Sequence, residues 1–94
     1  MPDIKRKHKN ITVIGDVQGV GFRFSTKNMA NSIGIKGFVK NLYNGDVYIE
    51  AEGSEVQLRH FIEWCYKGSS HSRVYDVKVE DDELKHFTHF EIGF

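Results

Sequence analysis

The chain has 94 residues, with 13 Lys+Arg against 13 Asp+Glu and a formal charge of zero at neutral pH. That length holds one domain, and the balanced charge argues against the basic footprint of a nucleic-acid binder or a polybasic membrane-surface protein. With 39% hydrophobic residues, seven of them Phe, the chain can build a packed core, while a single cysteine leaves no internal disulfide and fits a reducing, cytoplasmic setting.

Neither an 18-residue apolar run nor a secretory core occurs in the sequence, which starts MPDIKRKHKN. Residues 1–9 are polar and are expected to form a frayed tail, with the first strand starting near Asn10. The β-branched run Ile11-Thr12-Val13-Ile14 reads as that strand. It ends in Gly15-Asp16-Val17-Gln18-Gly19-Val20-Gly21, with three glycines in seven residues. From Phe22 the period becomes helical, with Phe22, Thr26, Met29, Ala30 and Ile33 on one face and Gly34 at the C-cap position. A second strand is predicted from Ile35 to Leu42, followed by Asn44-Gly45, a strong hairpin signal. Val47, Ile49 and Ala51 alternate with Tyr48, Glu50 and Glu52, which reads as a third strand with the acidic residues facing solvent.

Ser54 and Gln57 form a capping box, and Leu58, Phe61, Ile62 and Cys65 then follow at i, i+3, i+4, i+7 until Gly68. Tyr75, Val77 and Val79 predict a fourth strand, and Phe90, Ile92 and Phe94 a short fifth. The order is β-α-β-β-α-β plus a terminal strand, an α+β, ferredoxin-like sandwich with two helices on one face of a mostly antiparallel sheet. In that topology the third strand lies between the first two, which run parallel. Their carboxyl ends share one pole, separated by two strand spacings of about 10 Å in all. The glycine loop and Asn41 therefore fall in one neighbourhood.

Gly15, Gly19 and Gly21 allow backbone N–H groups to turn toward one centre, and the loop opens into a helix N-terminus that favours an anion. Arg23, in the first turn, opposes the helix dipole unless an anion joins it, and its planar fork suits a phosphate. Two readings stay open on this pattern: a phosphate cradle, or a glycine-rich turn beside a solvated arginine. Asn41, a poor strand former, likewise either bonds its own turn or holds a small polar ligand at the pole. The nucleotide loop G-x-x-x-x-G-K-[ST] is absent, and Gly15, Gly19 and Gly21 do not space as G-x-G-x-x-G.

These residues carry a family resemblance. The segment from Gly15 to Arg23, GDVQGVGFR, resembles the first acylphosphatase signature, G-x-V-Q-G-V-x-F-R. Gly37-Phe38-Val39-Lys40-Asn41 with Gly45, Val47 and Gly53 resembles the second, G-[FYW]-[AVC]-[KRQ]-N-x-x-x-G-x-V-x-x-x-x-x-G. The likeness extends over residues 11–94, with Phe38 where Trp or Tyr is common and no prolines between Gly68 and Arg73. It implies hydrolysis of acyl phosphates to a carboxylate and inorganic phosphate, without metal or organic cofactor. It implies phosphate binding by Arg23 and the backbone amides of Gly15, Asp16, Val17, Gln18, Gly19 and Val20, and a water oriented by Asn41. No general base is evident, so the proton is expected to pass to the substrate phosphate.

The resulting expectation is a free-standing cytoplasmic monomer acting on a small-molecule acyl phosphate, with no nucleic-acid or membrane partner. The alternative is a non-catalytic ferredoxin-like module that binds a phosphoanion or carbamoyl phosphate, as occurs inside larger hydrogenase-maturation proteins. An RNA-binding domain on the same fold is disfavoured by Val39 and Lys40, which break the RNP1 pattern. The five histidines lack a metal-site pattern, His86 and His89 being placed on opposite faces of a strand-like segment. Glu80-Asp81-Asp82-Glu83 reads as a solvated acidic loop, and Cys65 as core. Zero net charge hides two unlike halves, +6 over residues 1–40 and −6 over 41–94. Arg23, Lys36 and Lys40 are expected around the anion pole, and the basic tail is not assigned to it.

Overall fold

The computed structural model describes residues 5–93. Strand β1 (Arg6–Asp16) leads into helix α1 (Phe22–Ile33), strands β2 (Lys36–Asn41) and β3 (Val47–Ser54), helix α2 (Glu55–Lys67), and strands β4 (Arg73–Asp82) and β5 (Phe90–Ile92). The sheet order is β4-β1-β3-β2-β5. β3 is antiparallel to both β1 and β2, so these two run parallel and end at one pole. The β2–β5 pair is parallel, which makes the sheet mixed.

Local chemistry accounts for the element ends. The N-cap hydroxyl of Ser54 accepts from the Gln57 N–H while Gln57 Oε1 accepts from the Ser54 N–H, completing the capping box. Gly34 closes α1 in the left-handed conformation. Strand alternation sends Ile11, Val13, Val39, Val47, Ile49 and Ala51 toward the helices, where they pack with Phe22, Ala30, Leu58, Phe61 and Cys65. Burial pushes the Cys65 thiol up, so it stays a protonated core group.

The sheet face away from the helices departs from the sequence expectation. β1 starts at Arg6 rather than Asn10, and residues 6–9 of the expected frayed tail are paired with β3; the expected positions of residues 1–4 and of Phe94 lie outside the described residues. The cause is His8, a buried side chain held between two acidic partners. Its Nδ1 lies 2.7 Å from Glu52 Oε2, and its Nε2 lies 2.7 Å from Asn10 Oδ1 and 3.2 Å from Glu50 Oε1. Glu50 and Glu52 are consequently buried, not solvent-facing. Residues 83–89 cross this face as a strap without strand structure, so His86 and His89 do not sit on a strand. The backbone N–H groups of Lys85 and Phe87 donate to Glu52 at 2.6 and 2.9 Å, and Lys85 Nζ bonds Glu50 at 2.6 Å. Phe87 packs edge-on against Phe38. Most of the acidic run also changes place: Glu80, Asp81 and Asp82 belong to β4, with Asp81 paired to Lys9 and Asp82 accepting from Asn10.

Burial alone would raise the Glu52 carboxyl, but the hydrogen bonds from His8, Lys85 and Phe87 outweigh it and hold it below the usual carboxylate range. Burial, followed by the hydrogen bond to Glu50, pushes the Tyr48 hydroxyl up to about 12.

Candidate active site

At the shared pole, the pairing of β1 with β4 shifts register between Ile14 and Gly15, and the chain leaves the sheet after Asp16. Gly15 has φ 153°, and a Cβ there would stand 2.1 Å from the Arg73 carbonyl oxygen. Only a residue without a side chain lets β1 and β4 approach this closely as the chain turns. The loop then reaches Gly21, the N-cap of α1 at φ 75°, a left-handed conformation that also favours glycine. No side chain among the described residues caps α1, and its first turn holds no acidic group. The leading N–H groups and the positive end of the helix dipole are therefore directed at the pole.

Arg23, the second helical residue, is half-buried, and its Nη1 donates to the Gly93 carbonyl at 2.9 Å, just beyond β5. That carbonyl orients the guanidinium. Asn41 ends β2 opposite Val47, on the face that carries the helices. Its Oδ1 is buried and accepts no hydrogen bond from the described residues. Arg23 and Asn41 line one cleft of about 350 Å³ together with Val17, Gly19, Gly21 and Ile92.

The remaining loop residues take separate places. Gly15 and Asp16 close β1, where Asp16 Oδ2 accepts from the Tyr75 hydroxyl at 2.9 Å. Val17 is buried and Val20 packs against the core. Gln18 sends its side chain to the β2–β3 turn, where Nε2 donates to the carbonyls of Leu42 and Asp46. Neither this contact nor the Gly93 carbonyl is foreseen by sequence reasoning, since a backbone carbonyl carries no residue-type signature.

Neither of the two lysines expected around the pole lines this cleft. Lys36 begins β2 at the opposite end, in register with Glu52. Lys40 stands at the correct end, but strand alternation turns it to the other face, where its ammonium lies 5.7 Å from the Tyr48 ring centre. Of the three, Arg23 alone lines the cleft. Among the described residues no group of three or more His, Cys, Asp or Glu side chains is placed to hold a metal ion.

An arginine, an asparagine and an open helix N-terminus thus meet at one pole of a ferredoxin-like sandwich, an arrangement whose chemistry suits a small anion. The acylphosphatase family model matches residues 9–92. An acylphosphatase from Archaeoglobus fulgidus is 43% identical over 84 residues, covering 89% of this chain and 94% of its own. The crystal structure of acylphosphatase from Bacillus subtilis superposes with a TM-score of 0.91 at 38% identity, covering 94% of this chain and 99% of that one. Full-length HypF in its phosphate- and nucleotide-bound form gives a TM-score of 0.83 at 32% identity, over 96% of this chain but 12% of that much longer one.

The chain belongs to the acylphosphatase family. It is a hydrolase of acyl phosphates with the ferredoxin-like βαββαβ fold.

Proposed function

We propose that Arg23 and the backbone amides of residues 15–20 hold the phosphoryl group of an acyl phosphate while Asn41 orients the attacking water. The observation that carries this division of labour is the cleft shared by Arg23 and Asn41, with Asn41 Oδ1 buried there and unpartnered among the described residues. A buried acceptor costs free energy unless something donates to it, and a water O–H is a suitable donor. Held that way, the water presents its oxygen to phosphorus in line with the leaving group.

The water oxygen forms a bond to phosphorus as the bond from phosphorus to the acyl oxygen breaks. The electron pair of that bond leaves on the carboxylate, a stable anion that requires no general acid. One water proton passes to a phosphoryl oxygen, so the products are carboxylate and dihydrogen phosphate, with total charge unchanged. Charge on the equatorial oxygens in the loose transition state is stabilised by the Arg23 fork and the loop amides. Because a carboxylate departs unaided, no Lewis acid or organic cofactor is written into any step.

The substrate in this reading is a small-molecule acyl phosphate, and the protein a cytoplasmic monomer without nucleic-acid or membrane partners. The neutral charge supports the part of that reading that leaves out nucleic acid and a polybasic membrane contact, and no helix among the described residues is long and apolar enough to cross a membrane. Turnover of benzoyl phosphate, with a phosphate monoester as control, tests the proposal. Hydrolysis of the anhydride and not the monoester is expected. Phosphate binding without turnover would favour the binding-module alternative, for which the likeness to one part of HypF is the relevant observation.

A further inference from the structure

The phosphoryl half of the site comes from the β1–α1 loop and the water half from the end of β2. Ladder hydrogen bonds join β1 to β3 and β3 to β2, but β1 and β2 are not neighbours in the sheet. The Gln18 side chain spans the gap. Gln18 Nε2 donates to the Leu42 carbonyl at 2.7 Å and to the Asp46 carbonyl at 2.8 Å. These carbonyls form the base of the turn, where Leu42 N–H also donates to Asp46 O at 2.9 Å and Gly45 N–H to Leu42 O at 3.2 Å. Each carbonyl oxygen has two lone pairs, and Gln18 adds a second donor to each. A single nitrogen thus grips both strands of the hairpin, one residue beyond Asn41.

We propose that the Gln18 side chain is a positioning residue for hydrolysis, a strut that sets the distance between the bound phosphoryl group and the water held by Asn41; this rests on the roles given above to the loop and to Asn41. Gln18 does not touch the reacting atoms in this scheme. Its backbone belongs to the phosphate loop, and its side chain ties that loop to the strand end bearing the water ligand. In-line attack is sensitive to this spacing, because a misplacement of about 1 Å can cost about 100-fold in rate. Phosphate affinity depends on the loop and Arg23 alone, so it is insensitive to the strut.

Gln18→Met keeps the side-chain size and removes the donors; Gln18→Leu also removes them without adding charge and serves if the first variant folds poorly. On benzoyl phosphate, kcat is expected to fall by about 10- to 100-fold, while inhibition by inorganic phosphate changes by less than about twofold, as expected for binding that does not use the strut. In an Asn41→Ala background, where no water ligand remains to be positioned, Gln18→Met is expected to have almost no further effect on kcat. That non-additivity marks two groups acting as one unit. Wild-type kcat in the variants would overturn the proposal, as would phosphate affinity falling in step with kcat, or an undiminished loss in the Asn41→Ala background. A wild-type chain inactive on benzoyl phosphate would instead refute the reading beneath it.

Discussion

Replacing Glu52 with alanine removes the acceptor at the centre of the network under the 83–89 strap. Three donors then lose their partner: His8 Nδ1 at 2.7 Å, Lys85 N–H at 2.6 Å and Phe87 N–H at 2.9 Å. The two strap amides can turn to water if the strap lifts, but the His8 side chain is fully buried. Hydrogen bonds to a charged group contribute about 1.5–3 kcal/mol each, and a buried donor left without an acceptor costs about 1–3 kcal/mol. The expected loss is therefore about 1.5–3 kcal/mol at pH 7, from the buried His8 contact, the strap amides adding little once rehydrated. Glu52 is held below its ordinary range by these hydrogen bonds, against the opposing effect of burial. A carboxylate depressed on folding contributes its full stability above the unfolded value of about 4.3 and loses it as pH falls through the folded value. The gap between wild type and variant should be widest near neutrality and close in acid. Urea unfolding at pH 7, 5 and 3 measures it. A gap below about 1 kcal/mol at pH 7, or one that widens on acidification, would refute the reasoning.

Three further outcomes are expected. Arg23→Gln loses both the charge and the fork, so benzoyl phosphate turnover should become undetectable and inhibition by phosphate disappear in the same assay. Asn41→Ala should lower kcat by about 10²–10³-fold, the scale of one preorganised polar group, with phosphate inhibition retained; a wild-type kcat would remove the water-orienting role. Gly15→Ala drives a Cβ against the Arg73 carbonyl at φ 153° and should cost about 2–3 kcal/mol, seen as a lowered urea midpoint with unchanged slope.

Features written in neighbouring residues were legible without coordinates. Ser54 and Gln57, Gly34 and the Asn44-Gly45 turn each act through contacts within a few positions, and each marks its boundary in the structure. The pole followed from element order, since placing β3 between β1 and β2 leaves little choice about which ends meet. What escaped was set by distant chain. Glu50 and Glu52 alternate as solvent-facing residues do, and nothing local announces that Lys85 and Phe87 will cover them. His8 and Lys9 read as tail for the same reason, because the partners that order them lie 44 and 72 residues away. Lys36 was misplaced by treating charge near the motif as charge near the site, although Lys36 and Asn41 stand at opposite ends of a six-residue strand. Gln18 and the Gly93 carbonyl act on or through backbone oxygens, which every residue has.

The position of β3 between the two strands that end at the site gives the protein a built-in report on its own assembly. Neither a β1–α1 segment nor a β2–β3 hairpin contains both halves of the cleft, so neither alone carries all the groups that the proposed hydrolysis uses. Recovery of activity during refolding therefore dates the docking of the hairpin against β1, not the collapse that precedes it. A ligand that binds the folded chain and not the unfolded one adds about 2.7 kcal/mol to stability at a hundred times its dissociation constant. On the phosphate-binding roles proposed above, the reaction product is therefore a folding ligand for the enzyme that releases it.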